Sequence, residues 1–221
     1  MVATEAYKRF LIKAEENSTN DVVTVSRDRF VELMNEAYIR QIEYVYEHKH
    51  DDELRYIQGL LVDDKPIQDS LKHADHQNFK LPQDFLFFSN VWGVASKGAC
   101  SNKKIDLFEI KDLDRNLILN DEFNSPSFKY REAPYSFSNN SLRVFIDGFT
   151  IDKIYLSYYR YPKKLRLHDP SNPESPLDDS FELDLDEKFI NRVISHAVKE
   201  FDINNSNERF QVNQLRTQSK I

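Results

Sequence analysis

The 221-residue chain carries 37 acidic against 30 basic residues, a formal net charge of −7, with 40% hydrophobic and 13% aromatic content. That balance argues against a general nucleic-acid binder, which needs a basic footprint, while the length suffices for one sizeable core. The four glycines (Gly59, Gly93, Gly98, Gly148) never approach phosphate-loop spacing, and the lone cysteine, Cys100, excludes an intramolecular disulfide and a cysteine-based zinc site.

Residues 1–25 are polar and weakly patterned and read as an N-terminal arm. They lack the apolar core of a signal peptide, and no run in the chain is long enough to span a bilayer, so a soluble intracellular product is expected. Ser26 is a good N-cap for the clearest helix. Phe30, Leu33, Met34, Ala37, Tyr38, Ile42, Val45 and Tyr46 keep helical spacing through about six turns. A shorter helix is expected from Asp51 to Val62, with Leu54, Ile57, Leu60 and Leu61 inward, stopped at Asp63-Asp64-Lys65-Pro66. The two make a helical hairpin over 26–65.

From Phe79 to Leu167 the period changes to two, giving a β-block over 79–167. "LPQDFLFFSNVWGVAS" and "KIDLFEI" read as strands, with Cys100 near the turn between them and no helix start to activate its thiol. Residues from Lys111 to Ser136 form a long connection, with a helical turn around Asp112 to Leu119. "SLRVFIDG" and "IDKIYLSYYRY" read as a hairpin across Asp147-Gly148-Phe149-Thr150. A Pro-rich loop occupies 169–180. "FELDL" alternates, and Asp186 caps a last helix over 186–201 with Phe189, Ile190, Val193, Ile194, Ala197, Val198 and Phe201 on one stripe. Residues 202–221 are a polar tail, ordered only against a partner. The order predicts one α+β domain over 26–201: an N-terminal helical hairpin, a central antiparallel β-block (sandwich or barrel-like), then a C-terminal helix and extended tail.

Charge is uneven. Tyr155 to Leu167 is purely basic, whereas Leu177 to Glu187 carries Asp178, Asp179, Glu182, Asp184, Asp186 and Glu187 with no cation. Such faces suit subunit contact, because complementary potentials set register; two solvated faces are the plainer reading. Alternation puts Tyr155, Ser157, Tyr159 and Tyr161 on one face of the basic strand and Ile154, Leu156, Tyr158 and Arg160 on the other. A stacking platform for single strands needs its aromatics on one cation-lined face. The alternative function, a nucleic-acid-binding module, would use Tyr155, Tyr159, Tyr161, Lys163, Lys164 and Arg166.

Catalytic constellations are not legible. His48, His50, Asp51 and Asp52, with His73 and His76, lack the further ligands a metal site needs and read as polar connections. Adjacent Ser195 and His196 cannot face each other on a helix, so no triad is read. No acid sits in an obviously apolar context. Neither catalytic residues, metal nor cofactor are expected.

The ordered series of a helical hairpin, "LPQDFLFFSNVWGVAS", a strand ending "LSYYRYPKKL", an acidic Pro-rich loop, "FELDLDEKFINRVISHAVKEF" and a polar Gln/Asn/Arg tail resembles the head-to-tail connector proteins of tailed bacteriophages. It is most similar to the ring proteins of podovirus-type gut phages, including the crAss-like group, over Ser26 to the C-terminus. The resemblance implies a non-enzymatic virion protein of the phage neck, made in the host bacterial cytoplasm. Copies would form a ring, a dodecamer in the family pattern, that docks on the portal protein, meets other connector and tail proteins, and passes viral DNA without gripping it. No membrane contact is implied. The expected contact positions are Phe30, Leu33, Ala37, Tyr38, Tyr159, Lys163, Lys164 and Arg166, with Phe210, Val212 and Leu215 in the tail.

Overall fold

The computed structural model describes the backbone of residues 1–17, 24–48, 51–121, 123–173, 175–180 and 182–218, with side chains at all of these except 17, 51, 52 and 204–218. The fold is α+β, as the segregated pattern predicts. It divides into two compact units, Met1–Leu60 with Pro162–Ile221, and Leu61–Tyr161, rather than the single domain expected over 26–201.

The first unit is helical. α1 (Ala3–Asn17), α2 (Arg27–His48) and α5 (Glu187–Gln218) pack together, with a short α3 (Asp51–Leu54) and a 3-10 turn over Arg55–Leu60. The expected N-terminal arm is therefore a helix. Ala3, Ala6, Phe10 and Ala14 recur at helical spacing and are all buried. Three of the four are alanines, so the stripe carries little hydrophobic signal yet lets the helix approach closely. Phe10 meets Phe30 edge-on at 5.4 Å and Phe201 at 6.0 Å between centroids. Tyr7 donates to the Val25 carbonyl at 2.6 Å. This covering overturns four expected contact positions: Phe30, Leu33, Ala37 and Tyr38 are buried inside the unit. Ser26 occupies the cap position before α2, and its carbonyl accepts the first helical bond from Phe30 at 3.0 Å.

At the other end, the Asp186 carboxylate accepts from the Lys188 N–H at 2.8 Å and caps α5 as read. α5 continues past Phe201 to Gln218, through much of the segment expected as an extended tail. The side chains of Phe210, Val212 and Leu215 lie outside the described residues.

The second unit is an eight-stranded curled sheet, a half-barrel. Its strands are β1 (Leu61–Ile67), β2 (Ser70–Lys72), β3 (His76–Lys80), β4 (Phe85–Lys97), β5 (Cys100–Glu109), β6 (Glu132–Ser138), β7 (Ser141–Phe145) and β8 (Thr150–Arg160), in the order β1-β8-β4-β5-β6-β7-β3-β2. All pairs are antiparallel except β5 with β6. The β-block thus begins at Leu61, not Phe79. Pro66, read as a helix stop, sits in the edge strand β1, where a missing N–H costs no ladder bond.

The expected hairpin of β7 with β8 does not form. β7 pairs with β3 and β6, and β8 pairs with β1 and β4. Gly148 does take the positive φ of a turn, 61°, but a turn fixes a chain reversal and not the partner. The tight hairpin lies one connection earlier, between β6 and β7, where Asn139 and Asn140 both have positive φ (42° and 53°). Asparagine tolerates that region through its short polar side chain.

Alternation along β8 is as read. Ile154, Leu156 and Tyr158 lie in the sheet's core with Phe79, Val91, Ile105, Leu142 and Val144. No helix among the described residues is long and apolar enough to cross a membrane.

Candidate functional site

The residue types that could do chemistry converge at the basic segment after Pro162, in the helical unit. Leu165 and Leu167 are buried, so the alternate positions Lys164 and Arg166 turn outward. Asn35, on α2, holds this register with a two-point clamp. Its amide nitrogen donates to the Leu165 carbonyl at 3.0 Å, and its carbonyl accepts the Leu165 N–H at 2.9 Å. The opposite edge is fastened by Asp178, whose N–H donates to the Arg166 carbonyl at 3.0 Å, and by the Leu167–Leu177 bridge. Gly59 lets the acidic segment close in, since a Cβ there would stand 2.6 Å from the Asp184 carbonyl oxygen.

Lys163, Lys164, Arg166 and Ser180 line a cleft of about 450 Å³. The basic and acidic runs of the sequence meet here within one unit. Arg166 Nε donates to the buried Asp178 carboxylate at 2.5 Å, and Lys163 Nζ lies 3.5 Å from Asp184. Bonds from the Ser180 hydroxyl and backbone N–H, then the Arg166 guanidinium, hold the Asp178 carboxyl far below its usual range. Other acids of the run are also engaged: Asp179 accepts from the Thr4 N–H at 2.8 Å and Glu187 pairs with Arg9 at 2.6 Å. Lys164 is exposed and has no ion-pair partner among the described residues. The cleft is therefore a preorganised cationic recess, two of its cations held by internal carboxylates and one ammonium left over. Such an arrangement can receive an anionic group.

The tyrosines of the same stretch belong to the other unit and form no open platform. Tyr158 is buried against Phe85, centroids 5.6 Å apart, and its hydroxyl donates to Asp84 at 2.8 Å while accepting from Lys65 at 3.1 Å. Burial pushes the Tyr158 and Tyr159 phenols above their ordinary value. Tyr155 stacks on Trp92 at 4.1 Å and 13°. Lys104 lies over the Trp92 ring at 4.8 Å and Lys153 over the Tyr155 ring at 5.1 Å. Trp92 Nε1 donates to Asp64 at 2.8 Å. With one face of each ring closed by the other ring, the ammoniums take the faces a base would stack on.

Several of the described histidines and the Ser195 hydroxyl are engaged by neighbouring side chains and backbone. His73 stacks on His76 at 4.4 Å, and His76 bonds Asp75 at 2.7 Å. His50 lies outside the described residues. Among the described residues no group of three or more His, Cys, Asp or Glu side chains could hold a metal. The Ser195 hydroxyl donates to the Asn191 carbonyl at 2.9 Å and accepts from Lys13 at 2.7 Å. Burial, then Lys199 and Arg192, lowers the pKa of His196.

A second feature escaped the sequence reading: the connection from Lys111 to Arg131 leaves large apolar side chains in water. Leu113 is 96% exposed, Leu117 76% and Phe123 86%, and Tyr130 is also exposed. The helical turn expected there is present, as a 3-10 turn over Asp112–Asp114 running into α4 (Arg115–Leu119). Its amphipathic stripe points outward, and the signal was a leucine pair four residues apart on a run too short to pattern.

Against models of known protein families the chain matches none, and no curated protein matches it in sequence.

Proposed function

We propose that the protein is a structural, non-enzymatic subunit that assembles with copies of itself, as a ring in a bacteriophage head-to-tail connector. The observation that carries the reading is the exposed apolar run of Leu113, Leu117, Phe123 and Tyr130 in one connection. Single exposed leucines are ordinary, but a set of large side chains on one segment marks a protein-contact surface. The ordered resemblance of the chain to connector ring proteins supplies the rest: portal and tail proteins as neighbours, and DNA passing without specific binding. An acidic subunit suits such a channel, since negative charge repels phosphate.

The nucleic-acid reading is the weaker one. Tyr159 is buried and Tyr155 is already stacked, which leaves Tyr161 as the exposed ring, and Lys163 and Arg166 are engaged by Asp184 and Asp178.

Electron microscopy of the purified full chain tests the proposal, with closed rings of uniform diameter as the expected result. Mass spectrometry of purified virions of the encoding phage should find the chain. A persistent monomer without rings, or a virion lacking the protein, overturns the assignment.

A further inference from the structure

We propose that the Asp112-Leu113-Asp114 segment of the connection between β5 and β6 is the ligand of the basic cleft, and that it docks there on a second copy of the chain. The inference rests on the reading of the protein as a self-assembling subunit and names the contact that would build the assembly.

The two surfaces have matching chemistry. Leu113, in the 3-10 turn, and Leu117, in α4, stand four residues apart and are both exposed. Asp112 and Asp114 flank Leu113 and are exposed. Lys111, just before Asp112, is exposed, so the tip carries one cation against two carboxylates; Arg115 is turned away from this surface. Its guanidinium donates to Asp75 at 3.0 Å and lies over the Phe145 ring at 4.9 Å. What the connection offers is therefore an Asp-Leu-Asp tip with a second leucine behind it.

The cleft is the complement of that tip. Walls of lysine and arginine are aliphatic along their stems and cationic at their heads, so Lys163, Lys164 and Arg166 can take a leucine between stems and carboxylates at the rim. Its volume of about 450 Å³ lies in the range of ligand clefts. Asp178 and Asp184 are engaged by Arg166 and Lys163, which leaves the exposed Lys164 ammonium as the surplus charge. Each copy carries both halves, so the contact is head-to-tail. Heterologous contacts of that kind generate rings when the rotation closes, and complementary charge sets their register.

Sedimentation velocity of the full chain tests the contact. The loop variant D112K/D114K and the cleft variant K164E alter exposed side chains, and circular dichroism verifies that each folds. Each variant alone should self-associate on the order of a hundredfold more weakly than the natural chain, because like charges meet at the contact. An equimolar mixture should recover assembly: the reversed loop fits the reversed cleft, and the unaltered halves fit each other. L113S, which leaves charge unchanged, should weaken association as well. Natural-strength assembly of both charge variants, or a mixture no stronger than its components, overturns the contact while leaving the ring reading in place. A natural chain that stays monomeric overturns both.

Discussion

Gln77 on β3 closes the curled sheet onto Ile151 on β8, with four strands between them in the sheet order. Its amide nitrogen donates to the Ile151 carbonyl at 2.9 Å, and its carbonyl accepts the Ile151 N–H at 2.6 Å. The side chain thus does for one residue what a ladder partner would do. Both groups are buried, so nothing in solvent can replace the pair. Gln77→Leu keeps the size and removes both partners, leaving a buried donor and acceptor unsatisfied; we predict a loss of about 2–5 kcal/mol. Urea unfolding measures it, and hydrogen exchange should show the Ile151 amide losing protection. Gln77→Glu should be no better, because a carboxylate would face the Ile151 carbonyl.

The N-terminal helix makes a second prediction. Phe10 is fully buried between Phe30 and Phe201. Phe10→Ala should cost about 3–5 kcal/mol through lost burial and the cavity left behind. Thermal melts should show the loss, whereas Ile12→Ala, at an exposed position of the same helix, should change little. A dispensable arm would tolerate both.

These two sites show what the sequence could disclose. Residues with large apolar side chains at regular spacing, such as Phe30 to Val45 and Phe189 to Val198, declare a helix and its inward face. Alanine hides the same geometry, which is why Ala3, Ala6 and Ala14 read as an arm. Gln77 did carry a signal, a polar residue in the same parity as the buried Phe79, but parity says only that it points inward and not what it meets. Strand order is the least legible. Asp147-Gly148 promises a reversal, yet β8 carries apolar side chains that find deeper burial between β1 and β4. In the cleft, Lys163, Lys164 and Arg166 were visible as a basic run, while Asn35, which sets their register, gives no local sign because its partner is 130 residues away.

Asp178 gives the pH prediction. Its folded pKa lies below the unfolded one, so the unfolded chain binds the proton first as acid is added. Stability from this group is fully present above the ordinary carboxylate range and is lost as pH falls through that range towards the folded value. Denaturant midpoints should therefore decline as pH drops below about 4. Asp178→Asn should reduce the slope. Asp28, Asp75, Asp121 and Asp169 are also held low, so the slope should shrink rather than vanish.

Trp92 is the chain's single tryptophan and therefore a clean reporter of the sheet's outer face. Its ring is stacked on Tyr155, its Nε1 is held by Asp64, and Lys104 lies over it. A base could stack there only by displacing the tyrosine or the ammonium. Adding a single-stranded oligonucleotide at low salt should leave Trp92 fluorescence unchanged. Tyr155→Ala removes the stacked ring, and that variant should lose about 0.5–1.5 kcal/mol beyond the burial of the ring itself. It should also shift Trp92 emission to the red, because water reaches the face that the tyrosine covered. Strong quenching of the natural chain by the oligonucleotide, with a salt-dependent midpoint, would reverse the ranking and make this face the nucleic-acid site.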